Sequence, residues 1–374
     1  MTGDGSAAGP DAGAHPALRT RFCELVGCRL PVVQTGMGWV SGARLTAATS
    51  AAGGLGILAG VTLTLEEMRA AVRDVRARTG APFGVNLRAD QPDLPARLAV
   101  AVEEGVALVS FAGAPNPGAV ARCHDAGIPV VPTVGARRHA EKVLDMGVDA
   151  VIAQGAEGGG HTGTVPTTLL VPQVVDAVGS SIPVLAAGGL HDGRDLVAAL
   201  AWGADGIAMG TRFLLTAESR VPDAVKARYL AAGVGDTVVT AALDGAPQRV
   251  VRTEVVDRIE RSPRLLRFPR AALAALRFAR QTGTPRRDLV REGRAMHRNQ
   301  GLTWSQVALA ADAPMLIKAS LVDGRTDVGI LPTGQVVGVL DDLPAVADVL
   351  AGIEAQALAV LARLAAGGPG PSLG

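Results

Sequence analysis

Eight short apolar runs, each separated from the next by a stretch of helical period, constrain this chain more than any other feature. The runs are 32–35, 55–58, 83–87, 107–111, 130–134, 150–154, 183–187 and 206–209. Between them, segments 44–52, 65–79, 94–104, 119–126, 137–146, 168–178 and 193–202 carry apolar residues at helical intervals. Strands that alternate strictly with helices form a parallel sheet, because parallel neighbours need a crossover and a helix supplies it. Eight such units predict an α/β fold closed into a (β/α)8 barrel. An open doubly wound sheet is the competing arrangement. With 374 residues, 48% of them hydrophobic, the chain has the material for a large core.

In a barrel, the C-terminal ends of the strands share one mouth, and function sits there. The unusual residues of this chain fall at those ends. They are Gln34-Thr35-Gly36-Met37, Asn86, Thr133, the loop from Gln154 through Gly159-Gly160-His161 to Gly163, Gly188-Gly189 and Gly210-Thr211. Glycine lets a backbone approach a flat or anionic ligand closely, which gives Gly36, Gly159 and Gly160 a binding role. Gly188-Gly189 and Gly210-Thr211 follow the seventh and eighth runs, where barrels hold phosphate on backbone N–H groups. His161 stands at the tip of a glycine-rich loop and exchanges a proton near neutral pH. It has no second histidine at i+2 or i+4, so no metal is assigned to it. Glu157 either caps the turn or orients the loop, and Trp39 covers either the site or the core. Thr133, Gln335 and Trp39 are candidate cofactor or substrate contacts. Gly54-Leu55-Gly56-Ile57-Leu58-Ala59 matches a dinucleotide fingerprint in form only, because its glycines end a helix and begin a strand.

Several classes are disfavoured. A net charge of +1 gives no overall case for nucleic acid or an acidic membrane, and 3% aromatics leave few stacking platforms. No uninterrupted apolar run reaches about 18 residues, so no membrane span is expected. Cys23, Cys28 and Cys123 form no metal pattern, and three cysteines fit a reduced, cytoplasmic protein. Neither Cys23 nor Cys28 has a flanking Lys or His, so a redox pair is not expected. The domain reading is a disordered tail at 1–19, a barrel at 20–235, a cap at 236–319, a segment returning to the barrel at 320–366, and a tail at 367–374. The cap region is basic: 245–298 holds fourteen arginines against five acidic residues, a net +9. It reads as mainly helical, with helices at 271–280 and 286–298 broken by Pro263, Pro269 and Pro285. Helices at 304–311 and 344–364 follow. Arginine grips phosphate in a bidentate fashion, so a phosphate-bearing partner competes with a solvated face as the reason for this charge. An assembly of identical copies is compatible with the sequence.

The motifs Pro31-Val32-Val33-Gln34-Thr35-Gly36-Met37, Gly84-Val85-Asn86-Leu87, Gln154 through Gly163, Ala186-Ala187-Gly188-Gly189 and Met209-Gly210-Thr211-Arg212-Phe213 resemble the nitronate monooxygenase (2-nitropropane dioxygenase-like) family. The resemblance is strong over 25–219 and looser through Gly334-Gln335-Val336-Val337-Gly338. It implies an FMN-dependent (β/α)8 barrel with a second, smaller domain. His161 matches the family histidine beside the flavin, which acts on substrate protons. Met37, Asn86 and Gln154 then touch the flavin ring or ribityl chain, and Gly188, Gly189, Gly210 and Thr211 hold its phosphate. The usual loop Glu-Ala-Gly-Gly-His-Arg-Gly differs here, with Gly158 for Ala and Thr162 for Arg. The loop and the opening motif look like an actinobacterial branch, some members of which act reductively on CoA thioesters in steroid-ring degradation. The superfamily also holds flavin-type enoyl-ACP reductases. The resemblance therefore implies FMN-dependent redox chemistry on a small or acyl substrate, with His161 as general acid or base. Nitronate oxidation by O2 is the activity the family is named for. The alternative is reduction of a CoA- or ACP-bound thioester with NADPH or NADH as donor. A more distant alternative is a non-flavin barrel resembling IMP dehydrogenase, which needs a nucleophilic cysteine on a barrel-top loop. No cysteine follows Cys123.

Overall fold

The computed structural model describes residues 15–261 and 304–367, with backbone alone over 304–312. Its strands are β1 (Val32–Gln34), β2 (Leu55–Ala59), β3 (Phe83–Leu87), β4 (Leu108–Phe111), β5 (Val130–Val134), β6 (Val151–Gln154), β7 (Gly160–His161), β8 (Val184–Ala187), β9 (Gly206–Met209), β10 (Thr237–Thr240) and β11 (Gln248–Val251). Eight of them close a parallel barrel in the order β1-β2-β3-β4-β5-β6-β8-β9, which is the (β/α)8 architecture read from the sequence. Closure is made by β9 against β1, in the register Val32↔Ile207, Val33↔Ala208 and Gln34↔Met209. The barrel strands are buried on both faces, which explains their nearly continuous apolar composition.

The helices are α1 (Arg21–Val26), α2 (Ala43–Ala51), α3 (Leu65–Arg78), α4 (Leu94–Glu103), α5 (Pro117–His124), α6 (Arg137–Leu144), α7 (Thr167–Val178), α8 (Gly193–Ala201), α9 (Thr211–Leu214), α10 (Asp223–Leu230), α11 (Glu254–Arg261), α12 (Trp304–Leu321) and α13 (Val346–Ala365). Their starts are legible in the sequence. Thr64 and Glu67 form a reciprocal capping box at α3, and Asp192 and Asp195 form one at α8. Gly56 shows what the misleading glycine motif is for: a Cβ there would lie 2.1 Å from the Thr46 carbonyl oxygen, so α2 seats on β2 only over glycine. On α4, the guanidinium of Arg97 is buried and holds Gly60 O (2.7 Å), Leu63 O (2.8 Å) and Asp93 Oδ1 (2.8 Å).

One end of the barrel is plugged by α1. Phe22, Cys23, Val26 and Cys28 join Val33, Ile57, Leu108, Ile152 and Leu185 in one core cluster. Burying a ring such as Phe22 contributes about 1.5–3 kcal/mol. Arg21 locks the plug with two bonds to Asp205 (2.9 and 2.8 Å), whose other neighbour is the Val184 N–H (3.0 Å). The plug alters two sequence expectations. Leu18 lies within the tail expected to be disordered, yet it is fully buried. Cys23 and Cys28 come into contact, because Gly27 takes a left-handed φ of 74° and folds the chain back after α1. The Cys28 hydrogen bond holds the Cys23 thiol down to about 6 and pushes Cys28 well up, although neither side chain is exposed.

The chain forms two compact units: Met1–Ala156, Thr164–Ser219 and Leu343–Gly374 in the first, and Glu157–Gly163 with Arg220–Asp342 in the second. The units change at Ser219 and Leu343, where the sequence reading put boundaries at 235 and 320. Helix α13 completes the first unit, with Arg29 Nη1 on both Glu354 oxygens (2.7 and 2.8 Å). The second unit contains an antiparallel sheet in the order β10-β11-β7. It accompanies the helices α10, α11 and α12 of a cap expected to be mainly helical, and no strands were expected there. The strands are too short to show an alternation, with four, four and two residues. The helix expected over 304–311 continues to Leu321 with Pro314 inside it. The helices expected over 271–280 and 286–298 lie outside the described residues. Among the described residues, no helix is long and apolar enough to cross a membrane.

Candidate active site

In the first unit, the predicted residues gather on the rim formed by the C-terminal strand ends. Gln34 ends β1 fully buried, and its Nε2 donates to Ser41 Oγ (2.8 Å), Ile57 O (3.1 Å) and the Thr35 carbonyl. Ser41 Oγ also receives the Met37 N–H (2.9 Å) and donates to Thr35 O (2.8 Å). The turn presenting Gly36 and Met37 is therefore tied down by Gln34, which the sequence reading marked only as a strand-end residue, and by Ser41, to which it gave no role. Gly36 packs on Asn86, since a Cβ at Gly36 would lie 2.3 Å from the Asn86 Cβ. Gly210 lies against Met37, with 3.2 Å between a built Cβ and Met37 Sδ. Gly36, Met37, Asn86 and Gly210 are thus neighbours.

The other rim residues stand at their expected strand ends. Thr133 and Gln154 are half-buried near the ends of β5 and β6, and Thr211 is buried at the start of α9. Gly188 and Gly189 follow β8 with φ of 105° and 75°, a backbone that L side chains rarely adopt. Successive residues of this kind turn their N–H groups to one side and suit an anion. Thr167 Oγ1 fixes the turn through Gly188 O (2.9 Å). Trp39 has φ 60°, the one positive value at a non-glycine residue among the described residues. Such strain costs about 1–3 kcal/mol and gathers at functional sites. His191, Asp192 and Asp195 also cluster, but Asp192 caps α8 and pairs with Arg194 Nη2 at 2.5 Å, so helix initiation accounts for them.

In the second unit, Gly159, Gly160, His161 and Gln335 come together. The Gln335 N–H donates to Glu157 O (2.9 Å), and a Cβ on Gly159 would fall 2.4 Å from the Thr333 carbonyl carbon. The loop that carries His161 therefore lies flush on the 333–335 segment. His161 sits in β7 opposite Gln248 of β11, with Gly160 opposite Arg249. Its Nε2 lies 2.7 Å from Asp244 Oδ2. The His161 side chain is 67% exposed and that of Asp244 only 10%. The imidazole can meet a reactant, and the carboxylate acts through it. Asp244 also accepts from Ala246 N–H (3.0 Å) and from Gln248 Nε2. Burial drives the Asp244 carboxyl up, but the bonds from His161, Ala246 and Gln248 outweigh this and hold it below its ordinary value. Asp244 and Gln248 were not foreseen. Asp244 is 83 residues from His161, and the only local signal was the Asp244-Gly245 turn between two β-type runs.

The first unit thus offers a rim of permissive backbone that could hold an anionic cofactor tail, and the second offers a histidine held by a carboxylate. Comparison with known proteins gives the chain a family. The pattern of the nitronate monooxygenase family matches residues 19–97 and 94–355. A Mycobacterium tuberculosis protein, (3aS,4S,5R,7aS)-5-hydroxy-7a-methyl-1-oxo-octahydro-1H-indene-4-carboxyl-CoA dehydrogenase, is 54% identical over 91% of this chain and 96% of its own. Among solved structures, FabK of Thermotoga maritima superposes with a TM-score of 0.74 at 31% identity, covering 93% of this chain and 99% of that one. A nitroalkane oxidase from Streptomyces ansochromogenes gives 0.71 at 28% identity, covering 92% and 99%. The chain is an oxidoreductase and belongs to the nitronate monooxygenase family.

Proposed function

We propose that this flavin enzyme uses FMN to oxidise or reduce an acyl-CoA thioester carried on a fused-ring skeleton, with His161 as the general acid or base. The observation that carries the substrate class is the 54% identity, over nearly the whole of both chains, to a dehydrogenase named for an indene-carboxyl-CoA. The residues of the first unit fit FMN. Gly188, Gly189, Gly210 and Thr211 would hold its phosphate on backbone N–H groups, and Gly36, Met37, Asn86 and Gln154 would meet its ring or ribityl chain. Thr133 and Trp39 stand on the same rim. Bound there, FMN accepts or gives a hydride equivalent.

The protein's own share of the work is positional and protic. A C–H next to a thioester carbonyl is acidic, and His161 takes that proton as the hydride leaves the adjacent carbon, so that a carbon–carbon double bond forms. In reverse, His161 returns the proton while hydride adds to the conjugated acyl group. The electron pair enters or leaves as NADH or NADPH. Acid–base help of this kind is worth about 10²–10⁴-fold. Gln335, Gly159 and Gly160 keep the loop in place.

A second reading is nitronate oxidation by O2, supported by the family's name and by the likeness to a nitroalkane oxidase. A nitronate has already lost its carbon-bound proton, so His161 would take a proton only from the neutral parent nitroalkane. Anaerobic stopped-flow separates the two. The FMN-loaded protein is mixed in turn with NADH, NADPH, a saturated polycyclic acyl-CoA and a nitronate, and flavin bleaching is followed. Bleaching by the acyl-CoA or a nicotinamide, with no response to nitronates, supports the thioester reading. Bleaching by nitronates alone overturns it.

A further inference from the structure

We propose that Asp244 is the positioning residue that selects the reactive nitrogen of His161: it keeps a hydrogen on Nε2, so that Nδ1 alone carries protons to and from the substrate. This rests on the acid–base role proposed for His161, but the tautomer it assigns can be measured without any substrate.

The argument starts from hydrogen-bond inventory. An ionised carboxylate only accepts. Both oxygens of Asp244 are engaged in accepting, Oδ1 from the Ala246 N–H (3.0 Å) and Oδ2 from Gln248 Nε2 and from the imidazole (2.7 Å). The imidazole nitrogen facing Oδ2 is Nε2, so the hydrogen of neutral His161 belongs there. Nδ1 is then the basic atom. Three elements contribute. β7 places the ring, β11 places Gln248 directly across from it, and the turn between β10 and β11 brings Asp244 in from the side. The Thr162 N–H on Pro247 O (3.1 Å) ties that turn to the residue that follows His161. Among the described residues, nearby charged groups include Asp244 itself, Arg249 one position along β11 opposite Gly160, and Glu157, which acts electrostatically on Arg249.

The test uses full-length, FMN-loaded protein. Long-range 1H–15N spectra of histidine report which ring nitrogen bears hydrogen, and His161→Ala assigns the signal among the six histidines. The expected result in the unaltered protein is hydrogen on Nε2 and none on Nδ1 of the neutral ring. Asp244→Asn should shift the tautomer signals. It should also lower the rate of flavin reduction by about 10²–10⁴-fold, with little change in KM. Asp244→Glu should restore part of the rate. Hydrogen on Nδ1 in the unaltered protein overturns the proposal, and this needs no variant to fold. So does an Asp244→Asn protein whose tautomer signals are unchanged. If His161→Ala turns over normally while the Nε2–H tautomer is observed, the reading of His161 as acid or base fails and the pairing stands.

Discussion

Replacing Gly159 by alanine should disable the enzyme in a way that replacing its neighbour Gly160 does not. The added methyl would sit 2.4 Å from the Thr333 carbonyl carbon and 2.5 Å from Gly334 N. Ordinary carbon–carbon separation needs roughly 1 Å more. Both contacts are backbone, so no flexible side chain can give way. If the loop stays in place, the overlap costs about 1–3 kcal/mol. Losing the Gln335 N–H bond to Glu157 O adds about 0.5–1.5 kcal/mol. If the loop yields instead, His161 moves by about 1 Å, and a misplacement of that size costs about 10²-fold in turnover. Gly160 has φ 65° and nothing within 4 Å of a built Cβ, so alanine there meets backbone strain alone, about 1–2 kcal/mol. The assay pairs urea unfolding with kcat and KM of the FMN-loaded variants, using the substrate identified by flavin bleaching. Gly159→Ala behaving like Gly160→Ala in both measurements would refute the packing argument.

Three further outcomes are expected. Gly189→Ala forces a side chain onto φ 75° in the turn proposed to hold phosphate; the protein should fold but release FMN on dilution or ultrafiltration more readily than the unaltered chain. Arg97→Ala strips the buried Gly60 O and half-buried Leu63 O of their partner, and urea denaturation should show a loss of about 2–4 kcal/mol while bound FMN is little affected. Asp244 is held below its ordinary value of 3.8, so its contribution to stability is fully present above that pH and fades as pH falls through the lower folded value. Unfolding curves of the unaltered protein and Asp244→Asn should therefore converge below pH 3.8, and curves that stay equally far apart in acid would contradict that sign.

The barrel was legible because its physics is local. Each strand is a buried apolar run and each crossover helix carries its own period and cap, as at Thr64 and Asp192. The rim was legible for the same reason, since glycines at strand ends mark backbone that departs from ordinary conformations. The supports beneath it were not. Gln34 and Ser41 act through a turn whose bonds depend on its folded shape, and a lone Gln in an apolar run carries no signal of that. The partner of His161 lay further from view still. Asp244 reaches it only because a two-residue strand pairs with β11, and two residues show no alternation. Cys23 and Cys28 misled in the opposite direction: flanking residues gave no hint of contact, and the left-handed Gly27 produced it. The helix expected to end at 311 runs on through Pro314 to Leu321.

Helix α13 comes from the far end of the chain to finish the barrel unit. It packs on α8, where Gly193 leaves room for the Ile353 and Ala357 backbone, and Arg29 waits for Glu354. On a ribosome, all the barrel strands emerge first, and the whole of Arg220–Asp342 must be made before this last piece appears. At bacterial-scale rates of about 5–20 residues per second, the delay is on the order of ten seconds. Throughout it the surfaces of α2 and α8 that α13 will cover stay bare. A nascent chain of this design is therefore a natural client for chaperones, and a stop codon before Leu343 should yield a sticky, incomplete cylinder.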